Sequence, residues 1–276
     1  MRCALRWRLA LLPALLLALA SPAAAAPSAA DGELDCLIEP FVVVNLSSPV
    51  EGVLESLAVD RGDLVKQGQV LAQLESSLEK AAVESARYRS QMEGAIKTNE
   101  ARLDFSNKKL GRTEDLFKKD IVPAGDLDEA VTTKIIAERS LLEAMENKRL
   151  AELELQRATA ALNMRTIASP INGVVVERFL APGEFAKQTP ILKLAQINPL
   201  RVEVFAPVSL LGKVSIGMRA EVRPEAPVGG VQTARVTVVD RVVDAASGTF
   251  GVRLEIPNPN YKLPAGLKCR MKFLPK

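Results

Sequence analysis

Apolar and polar positions follow two different periods along this chain, and the points where the period changes divide it. Around residues 47–75 the apolar positions fall in short β-prone runs such as Val53-Leu54 and Val70-Leu71, with Gly62-Asp63 reading as a tight turn between them. Residues 76–163 change character. Their one proline is Pro123, glycines are few, and Ala, Leu, Glu, Lys and Arg, all strong helix formers, dominate. From about 165 to 195 the short β-prone runs return. From Ile197 onward Leu200-Arg201-Val202-Glu203-Val204-Phe205 and Ala234-Arg235-Val236-Thr237-Val238-Val239 alternate as half-buried strands do. Turn signals at Gly217, Gly229-Gly230, Ser247-Gly248 and Pro264-Ala265-Gly266 have the spacing of a β-barrel or sandwich, and the last strand is expected over about Leu267 to Leu274.

The helical stretch predicts two elements. Ser76-Ser77-Leu78-Glu79 has the form of a capping box. A heptad row runs through Ala82, Arg89, Ile96, Leu103, Leu110 and Phe117, beside a more polar row through Leu78, Ser85, Met92, Asn99, Ser106 and Thr113. The first helix is expected to end near Asp120, where Pro123 and Gly125 break it. Asp126 followed by Glu129 reads as a second cap, and Leu127, Val131, Ile135, Leu142, Met145 and Leu153 continue an apolar stripe to about Asn163. Two helices of about 40 residues would each rise about 60 Å, and a short connection makes them an antiparallel hairpin.

The two β-prone pieces flanking this hairpin are copies of each other. Ser48-Pro49-Val50-Glu51-Gly52-Val53 reappears as Ser169-Pro170-Ile171-Asn172-Gly173-Val174, Gly62-Asp63-Leu64-Val65-Lys66-Gln67 as Gly183-Glu184-Phe185-Ala186-Lys187-Gln188, and Val70-Leu71 as Ile191-Leu192, all at an offset of 121. One copy has too few apolar residues to close a core. Residues 47–75 and 165–195 are therefore expected to form one domain from two distant pieces, with residues 76–164 as the inserted hairpin, 27–46 as an N-terminal segment and 196–276 as a β-barrel.

Composition changes this picture at the N-terminus. Arg2, Arg6 and Arg8, the apolar run Leu9 to Ala20 and the small residues Ala24-Ala25-Ala26 read as a secretory signal over residues 1–26, with an uncleaved anchor as the alternative. The run is about 12 residues, short of the roughly 20 that span a bilayer. The chain carries 36 basic and 33 acidic side chains. The leader holds three of the Arg and no acid, so the mature part is balanced and nothing suggests nucleic acid as a partner. Cys36 and Cys269 remain near the two ends. In an oxidising compartment they could pair and tie those ends together; two buried thiols are the other reading.

The split repeat, the hairpin inside it and the barrel after it together resemble the HlyD-like membrane fusion proteins, the periplasmic adaptors of tripartite efflux and secretion systems. The segments Asp240 to Phe250, Pro257-Asn258-Pro259 and Leu263-Pro264-Ala265-Gly266 are also similar to the barrel of that family. The resemblance implies an α+β, mainly β fold: a lipoyl-like barrel-sandwich hybrid split by an antiparallel coiled-coil hairpin, followed by a β-barrel. It also implies a ring, commonly of six copies, placed in the periplasm between an inner-membrane transporter of RND or ABC type and a trimeric outer-membrane channel. Many such adaptors carry near the hairpin tip an Arg, a Leu four residues on and a Ser seven after that; here Arg112 and Leu116 are followed by Pro123. The resemblance implies that these positions meet the channel. Read without it, Arg112 is a solvated helix residue and Leu116 packs in the seam. The family commonly has a membrane-proximal β-domain after the barrel, which is expected here to be short or absent.

Chemistry of other kinds finds little support. The chain has no His, which removes the commonest general base and metal ligand. Two separated cysteines make no four-ligand zinc site, and Met92, Met145, Met164, Met218 and Met271 are scattered rather than clustered for a soft metal. Asp240 and Asp244, two strand positions on one face, suit a structural role. A biotin or lipoate carrier needs a Lys at the turn between the repeat halves; around Glu75 to Ser77 that turn is opened by the hairpin, and Lys80 falls on the helix. The expectation is a non-enzymatic protein without cofactor. A carrier subunit of an enzyme complex and a periplasmic structural coiled-coil protein stand as alternatives.

Overall fold

Neither copy of the repeat completes its own backbone hydrogen bonds; each uses the other. In the computed structural model, which describes residues 32–274, the Gly62 N–H donates to the Val175 carbonyl at 2.8 Å and the Gly183 N–H donates to the Leu54 carbonyl at 2.8 Å. The offset of 121 carries one bond onto the other. It also carries Leu54 N–H to Glu184 carbonyl onto Val175 N–H to Asp63 carbonyl. The leader read over residues 1–26 lies outside the described residues.

The first copy supplies β2 (Gly52–Leu57), β3 (Leu64–Val65) and β4 (Val70–Leu74), and the second β5 (Thr166–Ala168), β6 (Gly173–Arg178) and β7 (Phe185–Ala186). Pairing is crossed: β2 runs antiparallel to β7 and β3 antiparallel to β6, again related by the repeat offset. Core positions repeat too, with Leu54 and Val175, Val65 and Ala186, and Leu71 and Leu192 all buried. Each turn is held the same way: the Asp60 N–H donates to the Asp63 carboxylate and the Ala181 N–H to the Glu184 carboxylate. Gly62 and Gly183 take φ values of +95° and +93°, which L side chains rarely adopt. Gly173, by contrast, is required by space, because a Cβ there would lie 2.3 Å from the Ala195 carbonyl oxygen.

Between β4 and β5 the chain leaves the domain as α1 (Ser77–Ser90), α2 (Gly94–Phe117) and α3 (Ala124–Asn163). β4 and β5 pair antiparallel from Val70 and Ala168 to Gln73 and Thr166, so the hairpin departs from two adjacent strand ends.

Two long strands run through both β-modules. β1 (Leu34–Leu46) and β8 (Leu192–Pro207) pair along nearly their full length. Cys36, Ile38, Leu200, Val202 and Val204 lie in the barrel core, whereas Leu192 and Leu194 lie in the repeat's core. Residues 34–46 thus pair with both modules, and along β8 the core changes from that of the repeat at Leu194 to that of the barrel at Leu200. Alternation lapses over Gln196 to Pro199 in β8, and an irregularity between Pro40 and Val42 re-aims β1.

The barrel closes in the order β1, β12 (Leu267–Phe273), β9 (Arg219–Pro224), β10 (Gln232–Asp244), β11 (Thr249–Ile256) and β8, which returns to β1. Closure removes the exposed strand edges. Its interior is mostly aliphatic, with Phe250, Met271 and the two cysteines among the buried side chains, and Val252, Leu254 and Ile256 alternate inward along β11. Asn258, buried in the loop after β11, donates to the Ile197 and Leu263 carbonyls and accepts from the Leu263 N–H, which fixes the connection to β12. Asp244 has the structural role expected of it: its carboxylate accepts from the Ala246 N–H and the Ser247 hydroxyl at the β10–β11 turn, and these bonds lower its pKa. Cys36 and Cys269 are directly opposite on β1 and β12, with Cα atoms 4.8 Å apart and the sulfurs joined.

The steric demand at Gly173 is testable. Gly173→Ala is expected to cost about 1–3 kcal/mol in a urea titration. Gly111→Ala in α2, where an added Cβ meets nothing within 4 Å, is expected to stabilise by about 0.5–1 kcal/mol.

Candidate functional site: the helical hairpin

α3 is 40 residues long and therefore about 60 Å from end to end. α1 and α2 pack against it in succession as one antiparallel return arm. The seam on α3 keeps a strict heptad. Ala130, Ala137 and Ala144 are buried at every seventh position, and Ala151 and Ala158 continue the row half-buried. Between them the companion positions Leu127, Lys134, Leu141, Lys148, Leu155 and Leu162 are half-buried. Small residues let the helices approach closely. This overturns the expected apolar stripe: of its members only Leu127 lies in the seam, while Val131, Ile135, Leu142, Met145 and Leu153 are exposed. A search weighted toward large apolar residues passes over an alanine row.

The return arm is two helices rather than the one expected to run from Ser76 to Asp120. On α2 the seam positions Ile96, Asn99, Leu103, Ser106, Leu110 and Thr113 are the expected rows. On α1 the buried residues are Val83 and Ala86, and Ala82 and Arg89 of the expected row are exposed. The seam slips by one residue, about 100° of rotation. The break at Gln91–Glu93 absorbs it just before Gly94, a residue of low helix propensity. Glu93 holds the break in place, bridging Lys148 of α3 at 3.0 Å and Lys97 at 3.2 Å. The hydrogen bond from Lys148, then that from Lys97, lowers its pKa.

At the root the expected capping box does not form. Ser76 is the N-cap of α1 without a side-chain bond to it, and Glu79 turns instead to Arg165. Arg165, in the turn between α3 and β5, donates through Nη2 to the Glu79 carboxylate at 2.6 Å and through Nη1 to the Glu51 carbonyl at 3.0 Å. Its Nη1 occupies the space a Cβ on Gly52 would need, 2.5 Å from that position. One guanidinium thus joins both helical arms to the first repeat copy. Arg165 is not among the residues singled out from the sequence; its signal is its place as the next seam position after Leu162, on the alanine-bearing heptad.

Toward the tip, Lys109 of α2 pairs with Glu129 of α3 at 3.0 Å. α3 starts earlier than the Asp126 cap expected: Pro123 is the N-cap and Asp126 lies in the first turn, its negative charge favourable at a helix N-terminus. Arg112 and Leu116 are four residues apart on α2 and so share a face, and Pro123 lies beyond the turn. Arg112 is exposed and makes no ion pair among the described residues. Leu116 is 39% exposed rather than closed in the seam. Phe117 and Ile121 beside it are also exposed, so the tip presents apolar side chains to solvent. Lys80 is exposed on α1. Among the described residues no helix is long and apolar enough to cross a membrane, and no three His, Cys, Asp or Glu side chains gather as a metal site.

Comparison with known proteins follows this geometry. A family model described as the CzcB-like barrel-sandwich hybrid domain matches residues 42–196, and one described as the CusB-like beta-barrel domain matches residues 200–276. The macrolide export protein MacA of Yersinia pestis is 29% identical over 245 residues, covering 85% of this chain and 64% of that protein. The membrane fusion protein MtrC of Neisseria gonorrhoeae is 26% identical over 258 residues, covering 87% of this chain and 58% of that protein. This chain therefore spans less than two thirds of either relative. The crystal structure of MacA from Actinobacillus actinomycetemcomitans superposes with a TM-score of 0.74 at 21% identity, over 88% of this chain and 78% of that one, a likeness of fold.

Two substitutions probe the root and the break. Arg165→Ala is expected to lower stability by about 1.5–3 kcal/mol, the range for hydrogen bonds to charged groups, with amide exchange rising first at the bases of α1 and α3. The Glu93 pKa is depressed in the fold. Its contribution is therefore present above the ordinary carboxylate range and lost as pH falls through the folded value. Protection factors at residues 91–97, which correct for the intrinsic pH dependence of amide exchange, are expected to fall on acidification below that range, and Glu93→Gln to show low protection there already at neutral pH.

Proposed function

This chain belongs to the membrane fusion proteins built on a CzcB-like barrel-sandwich hybrid domain, and on that premise we propose that it is a periplasmic adaptor of a tripartite export system. It acts by connecting rather than by catalysis. The observation that carries the reading is topological: two halves of one small β-domain close around a helical rod about 60 Å long, so that one continuous chain carries both a compact base and a distant tip. The base and barrel contact an inner-membrane transporter of RND or ABC type. The tip, with Arg112 and Leu116 on one face of α2 and Pro123 opening α3, meets a trimeric outer-membrane channel. Copies associate with one another, as a ring of six in the arrangement that the family resemblance implies. The likeness to the macrolide export protein MacA of Yersinia pestis and to the membrane fusion protein MtrC of Neisseria gonorrhoeae supports this reading.

Periplasmic placement gives Cys36 and Cys269 an oxidising surrounding. Their disulfide ties the first barrel strand to the last.

The central test is photocrosslinking in cells from residues 112, 116 and 121. Capture of an outer-membrane channel there, and of an inner-membrane transporter from the barrel, is the expected outcome; capture of neither removes the adaptor reading. Arg112→Asp and Leu116→Asp are expected to leave the melting temperature within about 1–2 °C, as surface changes do, and to abolish export. For the disulfide, thiol titration of the unfolded, unreduced protein is expected to find neither cysteine free. Replacing both by Ala is expected to cost about 2–4 kcal/mol.

A further inference from the structure

On the outer wall of the barrel one phenylalanine ring has a carboxylate on either side of it. β8 turns Val202, Val204 and Ala206 into the barrel core, so Phe205 points outward, and it is 71% exposed. On one side runs β1, with Cys36 opposite Val204 and Leu37 opposite Glu203. The next step along that register sets Asp35 beside the ring. On the other side Gly251 of β11 lies directly opposite Phe205. A cleft opens on each side, about 450 Å³ toward β1 and about 630 Å³ toward β11 and β10, and Phe205 lines both. Both volumes fall in the range of small-molecule sites.

β10 is shaped to bring the second carboxylate there. Val239 pairs with Val252 and Val243 with Phe250, so Asp240, Arg241 and Val242 stand against Gly251 alone. A bulge of this kind re-aims side chains. Val242 is thrown outward, 81% exposed. The Asp240 carboxylate leans across β11, its Oδ2 only 2.2 Å from where a Cβ on Gly251 would sit. A glycine at 251 leaves that space open. Arg241 lines neither cleft.

Charge and apolar surface together select the ligand. The two linings hold the carboxylates of Asp35, Glu203, Glu225, Asp240 and Asp244 against one cation, Lys268. Glu203 is engaged by Arg253 at 2.7 Å, and Asp244 by the Ser247 hydroxyl of its own turn. Asp35, Glu225 and Asp240 make no ion pair and no side-chain hydrogen bond among the described residues. Asp35 and Asp240 flank the ring at about one strand spacing, roughly 4.8 Å, to either side. Leu37 and Val242 extend the apolar surface beyond them. A neutral or anionic ligand would meet negative charge without answering it, and a bare metal ion would make no use of the ring. A positive charge carried on an apolar body uses all three, because a cation is drawn to the face of an aromatic ring.

We propose that this face of the barrel binds a lipophilic organic cation of the quaternary ammonium or phosphonium kind. Its charge lies over the Phe205 ring between Asp35 and Asp240, and its apolar groups rest against Leu37 and Val242. The site belongs to the barrel of a single chain and stands apart from the adaptor reading.

Equilibrium dialysis and amide NMR of the full mature chain with tetraphenylphosphonium test it, with tetraphenylborate, alike in shape but negative, as the control. The phosphonium is expected to bind saturably and to shift the amides of residues 35–37, 203–206 and 239–251. Binding is expected to weaken as salt rises from about 0.01 M to about 0.15 M and the screening length falls from about 30 Å to about 8 Å. The borate is expected to leave those amides unmoved. Phe205→Ala is expected to weaken phosphonium binding roughly tenfold, and Asp35→Asn with Asp240→Asn roughly fivefold. Gly251→Ala keeps the ring and every charge but pushes the Asp240 carboxylate aside, and is expected to weaken binding as Asp240→Asn alone does. Phe205, Asp35 and Asp240 are exposed, so circular dichroism and melting of their variants are expected to match wild type. No saturable binding at these residues, variants that bind as wild type does, or the same shifts with the borate would overturn the proposal. Photocrosslinking from residue 205 in cells covers the other occupants: a protein captured there, while the phosphonium fails to bind, overturns it as well.

Discussion

The structure depends on backbone hydrogen bonds that cannot be made locally. A strand of two residues such as β3 or β7 has no stability alone, and its partners lie in the other copy of the repeat. Unpaired buried N–H and C=O groups carry a large penalty. The first copy therefore gains little from folding until the second arrives. Everything between them, the whole hairpin, must form or be looped out for the domain to close. The hairpin is tolerated because its two ends leave adjacent strands, β4 and β5, and Arg165 fastens both ends to the strand beside them.

How legible each part was follows from how locally it is specified. The repeat could be read because symmetry forces the same residue types at both places: glycines where φ is positive or space is short, apolar residues where both halves feed one core. The barrel strands followed from alternation, and α2's seam from its heptad. The break at Gln91–Glu93 could not be read, since those residues are ordinary helix formers and the reason for the break is a seam slip against α3. The alanine row of α3 was hidden behind larger side chains that turn out to face solvent. Arg165 and Asn258 were missed because each acts through contacts far along the chain, Glu51, Glu79 and Ile197 among them. At the tip, Arg112 and Leu116 were picked out by the family resemblance; without it Leu116 reads as a seam residue, whereas it is exposed, and Pro123 is the N-cap of α3.

A thin seam and apolar flanks belong together. The helices of the hairpin are held by small side chains and a few cross-arm ion pairs, Glu79 with Arg165, Glu93 with Lys148 and Lys109 with Glu129. Of these, the more exposed pairs Glu93–Lys148 and Lys109–Glu129 contribute little each, and the root pair of Arg165 contributes most. The larger apolar side chains are left outside, where they can contribute to association rather than to the fold of one copy. The rod is modestly stable by itself and gains order from whatever it stands against.

The two strands that run through both β-modules have a mechanical consequence. A force applied to the barrel along their direction loads the β1–β8 ladder in shear, so that all its hydrogen bonds resist at once rather than failing one by one. The barrel and the split domain then behave as a single stiff beam. The helical seam, by contrast, is interrupted at Gln91–Glu93, part-way up the rod, where Glu93 and its two lysines tie the joint. Load shared across the ladder in the base therefore passes, in the rod, through a joint held by side chains.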